Sequence, residues 1–99
     1  MHNLNIKITS SAEADMQNIF DFIAKDNISK AKELIDVFEE KFKILAMFPN
    51  SGFRKSYLTK RDIREYIVAK HYQIIYYKKE NTLYIQRILT GYQDFFIGY

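Results

Sequence analysis

The sequence predicts an α+β domain in which a helical hairpin lies on one face of an antiparallel sheet, in the order β-α-α-β-β-β. A short segment of alternating apolar and polar residues opens the chain. Two stretches with apolar residues at helical spacing follow, and three runs rich in Ile, Val and Tyr, separated by turn-length segments, close it. Together these fill residues 1–99 with a single domain, and no repeat, low-complexity tract or interdomain linker interrupts them.

Asn5-Ile6-Lys7-Ile8-Thr9 alternates and includes β-branched side chains, so it reads as a half-buried strand. Ser10, with Glu13 three residues later, has the layout of a capping box, which predicts a helix start at Ser10. Met16, Ile19, Phe20 and Ile23 then repeat on one side, one turn after Ala12, and the helix is expected to end near Asp26-Asn27. Ser29 is the expected cap of a second helix whose stripe is Ala31, Leu34, Ile35, Phe38, Phe42 and Leu45, ending at Pro49. So short a connection favours antiparallel helices with both stripes turned to a common layer. That layer is the meander Ile63–Ala69, Tyr72–Tyr77 and Leu83–Leu89, with turns at Lys70-His71 and at 78–81. The stretch from Phe48 to Asp62, which holds the only Pro, reads as a long irregular loop.

Composition supports a packed core. Of the 99 residues 47% are hydrophobic and 16% aromatic, with eight Phe and eight Tyr, which gives one core large rigid surfaces to bury and argues against disorder. The absence of Cys excludes disulfides and thiolate metal sites and fits a reducing compartment, so the cytoplasm is the expected location. Met1-His2-Asn3-Leu4-Asn5 lacks the layout of a signal peptide, and no apolar run reaches membrane-spanning length. Two distant His and no clustered carboxylates leave no metal-ligand pattern, and the Gly residues form no phosphate loop, so no cofactor is expected.

Charge is segregated along the chain. Residues 1–49 carry six Lys against eight acids, and residues 50–99 carry nine Lys or Arg against four, or −2 and +5. The excess is densest between Arg54 and Arg64, where Arg54, Lys55, Lys60, Arg61 and Arg64 meet only Asp62. Such a field attracts phosphate backbones or acidic protein segments.

Taken in order, Ala14-Asp15-Met16, Ile19 to Ala24, Ala31 to Leu45, Phe48-Pro49-Asn50-Ser51-Gly52, Arg64-Glu65-Tyr66, Tyr72 to Tyr77, Ile85 to Leu89 and Gly91-Tyr92-Gln93-Asp94 resemble the RelE/ParE superfamily of toxins from bacterial type II toxin–antitoxin systems. The long second helix, the Pro-x-x-Gly loop and the Arg-x-Tyr strand are closer to the ParE-like pattern than to the RelE-like one. The resemblance implies a growth-inhibiting toxin neutralised by a cognate antitoxin, which would supply an acidic, partly disordered segment. ParE-like members poison DNA gyrase and RelE-like members cut messenger RNA in the ribosome. A third reading is a non-toxic partner that survives in an antitoxin repressor complex.

For RNA cleavage the resemblance implies Arg54 and Lys55 as loop cations, Arg64 and Arg87 as strand cations, and Tyr92 as the C-terminal aromatic. Thr90 stands where several relatives carry His, which removes a conventional acid or base and favours the gyrase reading, in which the chain is not itself an enzyme. His71 falls at a turn and reads as a surface residue, and most Tyr read as sheet packing. The expected partner-binding set is Arg54, Lys55, Lys60, Arg61, Arg64 and Arg87.

Overall fold

A computed structural model describes residues 3–55 and 62–90. Two helices pack on one face of a five-stranded sheet. The strands are β1 (Asn5–Ile8), β2 (Phe53–Arg54), β3 (Ile63–Val68), β4 (Tyr72–Lys79) and β5 (Thr82–Thr90), and the helices are α1 (Ser10–Ala24) and α2 (Ile28–Met47). The sheet order is β1-β5-β4-β3-β2. The antiparallel meander β3-β4-β5 is as expected. β1, however, joins β5 in parallel, so the sheet is mixed.

β1 determines where α1 begins. Thr9 donates its backbone N–H to the Ile85 carbonyl, and its hydroxyl donates to the Gln86 carbonyl while accepting from Ala12 N–H. The chain therefore stays pinned to β5 through Thr9, in extended backbone at φ −68° and ψ 160°, and Thr9 rather than Ser10 caps the helix. The expected Ser10–Glu13 capping box gives way for that reason. α2 likewise starts earlier than the sequence suggests. Asn27, also extended, accepts from Lys30 N–H at 3.0 Å and displaces Ser29 as the cap. Three residues then separate the helices, and the amides of Asp26 and Asn27 both close onto the Ile23 carbonyl.

The core lies between the layers. Ala12 and Ile19 from α1, and Phe38, Phe42, Leu45 and Ala46 from α2, meet Val68, Ile74, Tyr76, Leu83, Ile85 and Ile88 from the sheet. Phe38 sets its ring edge against Tyr72 at 5.4 Å. Ile74 and Tyr76 on β4, and Leu83 and Ile85 on β5, keep the period-2 alternation that points them at the helices. A bulge between Ile75 and Tyr76 in the β4–β5 pairing shifts this register, so that Ile88 rather than Arg87 continues the core face.

The β3–β4 and β4–β5 connections are tight and lack glycine. Ala69 at φ 53° and Lys70 at φ 65° turn the first, and Glu80 at φ 56° turns the second. Non-glycine residues occupy this left-handed region at a cost of roughly 1 kcal/mol or more each. β4 also runs two residues beyond its expected end at Tyr77.

Candidate functional site

The long loop foreseen between Phe48 and Asp62 is ordered at its start by the sheet beneath it. Residues Pro49–Ser51 form a turn of 3-10 helix, and Ser51 donates both its N–H and its hydroxyl to the Phe48 carbonyl. Tyr76, on the core face of β4, sends its hydroxyl up to this turn, donating to the Pro49 carbonyl at 2.8 Å and accepting from Gly52 N–H at 2.9 Å. Its ring is 1% exposed, and burial raises the phenol pKa above its ordinary value, the Gly52 hydrogen bond opposing in part. The hydroxyl therefore stays protonated and remains a donor.

Gly52 is required by closeness, not by backbone dihedral. A Cβ at this position would sit 2.6 Å from the Tyr76 oxygen and 2.7 Å from the Glu65 carbonyl. Only glycine lets the loop lie this flat on the sheet. Arg64 adds a second clamp by donating from Nη1 to the Gly52 carbonyl at 2.9 Å and to the Asn50 carbonyl at 3.2 Å.

The clamped turn delivers β2 to the outer edge of β3, with Arg54 opposite Arg64 and Phe53 opposite Glu65. Lys55 N–H then bonds the Ile63 carbonyl at 2.7 Å. Here the charged groups gather. Asp62 Oδ1 lies 3.2 Å from Arg54 Nε and 3.3 Å from Arg64 Nε, and Lys55 Nζ lies 2.7 Å from Glu65 Oε1. Arg64 and Lys55 are largely covered, whereas Arg54 and Asp62 are more than half exposed. Phe53, at 76% exposed, stands beside them. The edge is thus a mixed patch of cations, acids and one open aromatic ring.

Arg87 belongs to a different place. It is on β5, two strands from β3, which separates the strand axes by about 10 Å. Its guanidinium forms a bidentate pair with Asp15 of α1 at 2.7 and 2.9 Å, and Asp15 also accepts from Ile88 N–H at 2.9 Å. The hydrogen-bonded pairing with Asp15 holds Arg87 still further into its charged form. β1 has ended before this point, so the carboxylate satisfies a β5 edge amide that would otherwise lack a strand partner.

Of the residues named from sequence, the structure brings together Arg54, Lys55 and Arg64 and leaves Arg87 apart. Lys60, Arg61 and Tyr92 lie outside the described residues. His71 stands at the turn at the far end of β3, its ring 6.5 Å from that of Tyr72. Sequence reasoning marks Asp62 only as the one acid among the cations and passes over Glu65, Asp15 and Tyr76, yet these four hold the cations and the loop. Tyr76 alone left a signal, since a Tyr in register with Ile74 on a core face needs a partner for its hydroxyl.

Among the described residues, no three His, Cys, Asp or Glu side chains gather as a metal site. No described helix is long and apolar enough to cross a membrane.

Comparison with known proteins agrees with this architecture. Residues 6–95 match the family described as the ParE toxin of the type II toxin–antitoxin system parDE. Among solved structures, a chain of the chromosomal ParDE TA system from P. aeruginosa superimposes with a TM-score of 0.74 at 22% identity, over 91% of this chain and 98% of that one. No protein of curated function matches the sequence.

Proposed function

Because the chain belongs to the ParE toxin family of type II toxin–antitoxin systems, we propose that it arrests growth by binding DNA gyrase, without itself catalysing a reaction, and that a cognate antitoxin neutralises it. The observation that carries the non-catalytic part is the engagement of the candidate cations. Arg64 donates from Nη1 to two loop carbonyls and lies against Asp62, while Lys55 pairs with Glu65 and Arg87 with Asp15.

Cleavage of RNA by its own 2′-hydroxyl needs a group that takes a proton and a group that returns one, both within hydrogen-bond reach of the reacting atoms. Guanidinium stays charged at any working pH and serves neither role. Among the described residues around Arg64, the titratable Lys55, Asp62 and Glu65 are each held in an ion pair, and the buried Tyr76 hydroxyl is engaged by the Pro49 carbonyl and Gly52 N–H. A surface of this kind is suited to binding, and its mixed charge and exposed Phe53 suit a protein partner.

The antitoxin contact falls on the same edge in this reading, where an acidic segment meets Arg54 and its neighbours. The test is supercoiling of relaxed plasmid by purified gyrase. Added protein should inhibit the reaction and accumulate broken DNA, and a cognate antitoxin should restore it. Full supercoiling activity with no broken DNA, at any concentration of folded protein, removes the proposal.

A further inference from the structure

We propose that Arg54 and Arg64 form an exchangeable carboxylate site, occupied by Asp62 in the free protein and taken over by a carboxylate of an acidic partner peptide. Three observations carry it. The two arginines face each other across the β2–β3 register. Both direct Nε toward one oxygen of one side chain, Asp62 Oδ1, at 3.2 and 3.3 Å. The Arg64 contact is close enough for charge attraction but is not aligned as a hydrogen bond, so the buried Arg64 Nε–H is left without a proper acceptor.

A single oxygen shared between two guanidiniums is a poor use of both. Each guanidinium fits a carboxylate best through two parallel N–H···O bonds. Arg64 is already fixed in direction by the Asn50 and Gly52 carbonyls, so a new acceptor meets a preorganised donor there. Arg54, whose side chain is 56% exposed, can swing to complete the site, and Asp62, 51% exposed, can move out into solvent. The Arg54–Asp62 pair is a surface one, so its loss costs little, and the Arg64 contact gives up no hydrogen bond.

The resident group points to an acidic peptide, because what Arg54 and Arg64 already hold is a side-chain carboxylate. Among the described residues, Asp62 and Glu65 pair with Arg54, Arg64 and Lys55, and Lys78 and Lys79 line the cavity beside Asp62, so an acidic segment meets an excess of cations there. One-for-one exchange of a carboxylate needs only that Asp62 leave. For its biological occupant the inference rests on the antitoxin-binding reading above, but its chemistry is tested without gyrase or growth.

The experiment uses the full chain and a fluorescein-labelled peptide of alternating Glu and Ala, followed by anisotropy at low salt. Asp62→Asn removes the resident carboxylate and should tighten peptide binding roughly three- to fivefold, the reach of one surface ion pair. Glu33→Gln removes the same unit of charge from the exposed face of α2, toward the helix end away from the Pro49–Ser51 turn, and should leave affinity near wild type. Arg54→Ala should weaken binding several-fold. Equal affinity for wild type and Asp62→Asn, or equal gains for Asp62→Asn and Glu33→Gln, overturns the exchange.

A single-stranded oligonucleotide that outcompetes the peptide on wild-type protein overturns the choice of a carboxylate ligand. If Asp62→Asn does not fold, the wild-type protein still decides the matter by NMR. Peptide should shift the Nε–H resonances of both Arg54 and Arg64, and binding that leaves them unmoved refutes the site. Failure here with gyrase still inhibited leaves the toxin reading standing, whereas success with gyrase unaffected separates the site from the target.

Discussion

Replacing Tyr76 with Phe isolates the clamp that delivers β2 to the sheet edge. The ring stays in the core, so no cavity forms, and what is lost is one hydroxyl with two hydrogen bonds, to the Pro49 carbonyl at 2.8 Å and from Gly52 N–H at 2.9 Å. Gly52 is buried, so its amide is left without water or partner. A stranded buried donor costs about 1–3 kcal/mol, and the second lost bond adds about 0.5–1.5 kcal/mol, which gives roughly 2–4 kcal/mol in total. For a domain of this size that is a drop in Tm of about 10–20 °C.

Urea unfolding followed by circular dichroism measures the loss, and amide exchange at Gly52 locates it. Burial raises the Tyr76 pKa, so the unfolded chain releases this proton at lower pH than the folded one. Its contribution is therefore complete below the ordinary phenol value of roughly 10 and fades as pH climbs through the higher folded value. The wild type should lose stability on that alkaline limb more steeply than Tyr76→Phe. A variant within 0.5 kcal/mol of wild type by urea, about the scatter of surface substitutions, with Gly52 exchange unchanged, refutes the clamp.

Gly52→Ala should be worse tolerated than most surface changes, because its Cβ has no room against the Tyr76 oxygen and the Glu65 carbonyl; a melt within a degree or two of wild type contradicts this. Asp15→Asn should cost about 1–3 kcal/mol by breaking the charge-assisted pair with Arg87, and the Ile88 amide should exchange faster. Glu80→Gly should stabilise the protein by roughly 1 kcal/mol by relieving a left-handed backbone at φ 56°, and a denaturant midpoint at or below wild type argues against it. Thr9→Ala should cost about 1 kcal/mol or more through the lost helix cap and the bond to Gln86, read from the same unfolding curves.

The layered architecture was legible because period and position agreed. Met16, Ile19, Phe20 and Ile23 could be brought to one face only by a helix, and Tyr72 to Tyr77 only by a strand lying on an apolar layer. What the sequence left hidden depends on neighbours distant along the chain. Alternation in Asn5 to Thr9 marks a strand but carries no information on whether its partner runs parallel, and the partner here begins at Thr82. Thr9 and Ser10 are chemically equal as caps, and only the hydrogen bonds to β5 decide between them. β2 has two residues, too few for any pattern to appear.

The candidate site was half legible for the same reason. The density of cations between Arg54 and Arg64 was visible, and the register of β2 on β3 does bring those two residues face to face. Arg87 resembles them in charge and in its place on a strand, but the extra β5 residue Gln86, opposite the Ile75–Tyr76 step, together with Asp15, 72 positions earlier in the chain, draws it toward α1 instead. Like charge in a sequence identifies candidates. Which acids neutralise them, and on which edge, is decided by topology.

If the protein arrests growth by occupying gyrase, as proposed, titrating purified gyrase with the purified protein in a calorimeter should show saturable binding. That binding should disappear when the protein is first mixed with its antitoxin. Absence of binding by a folded protein that still arrests growth when expressed would rule gyrase out as the target.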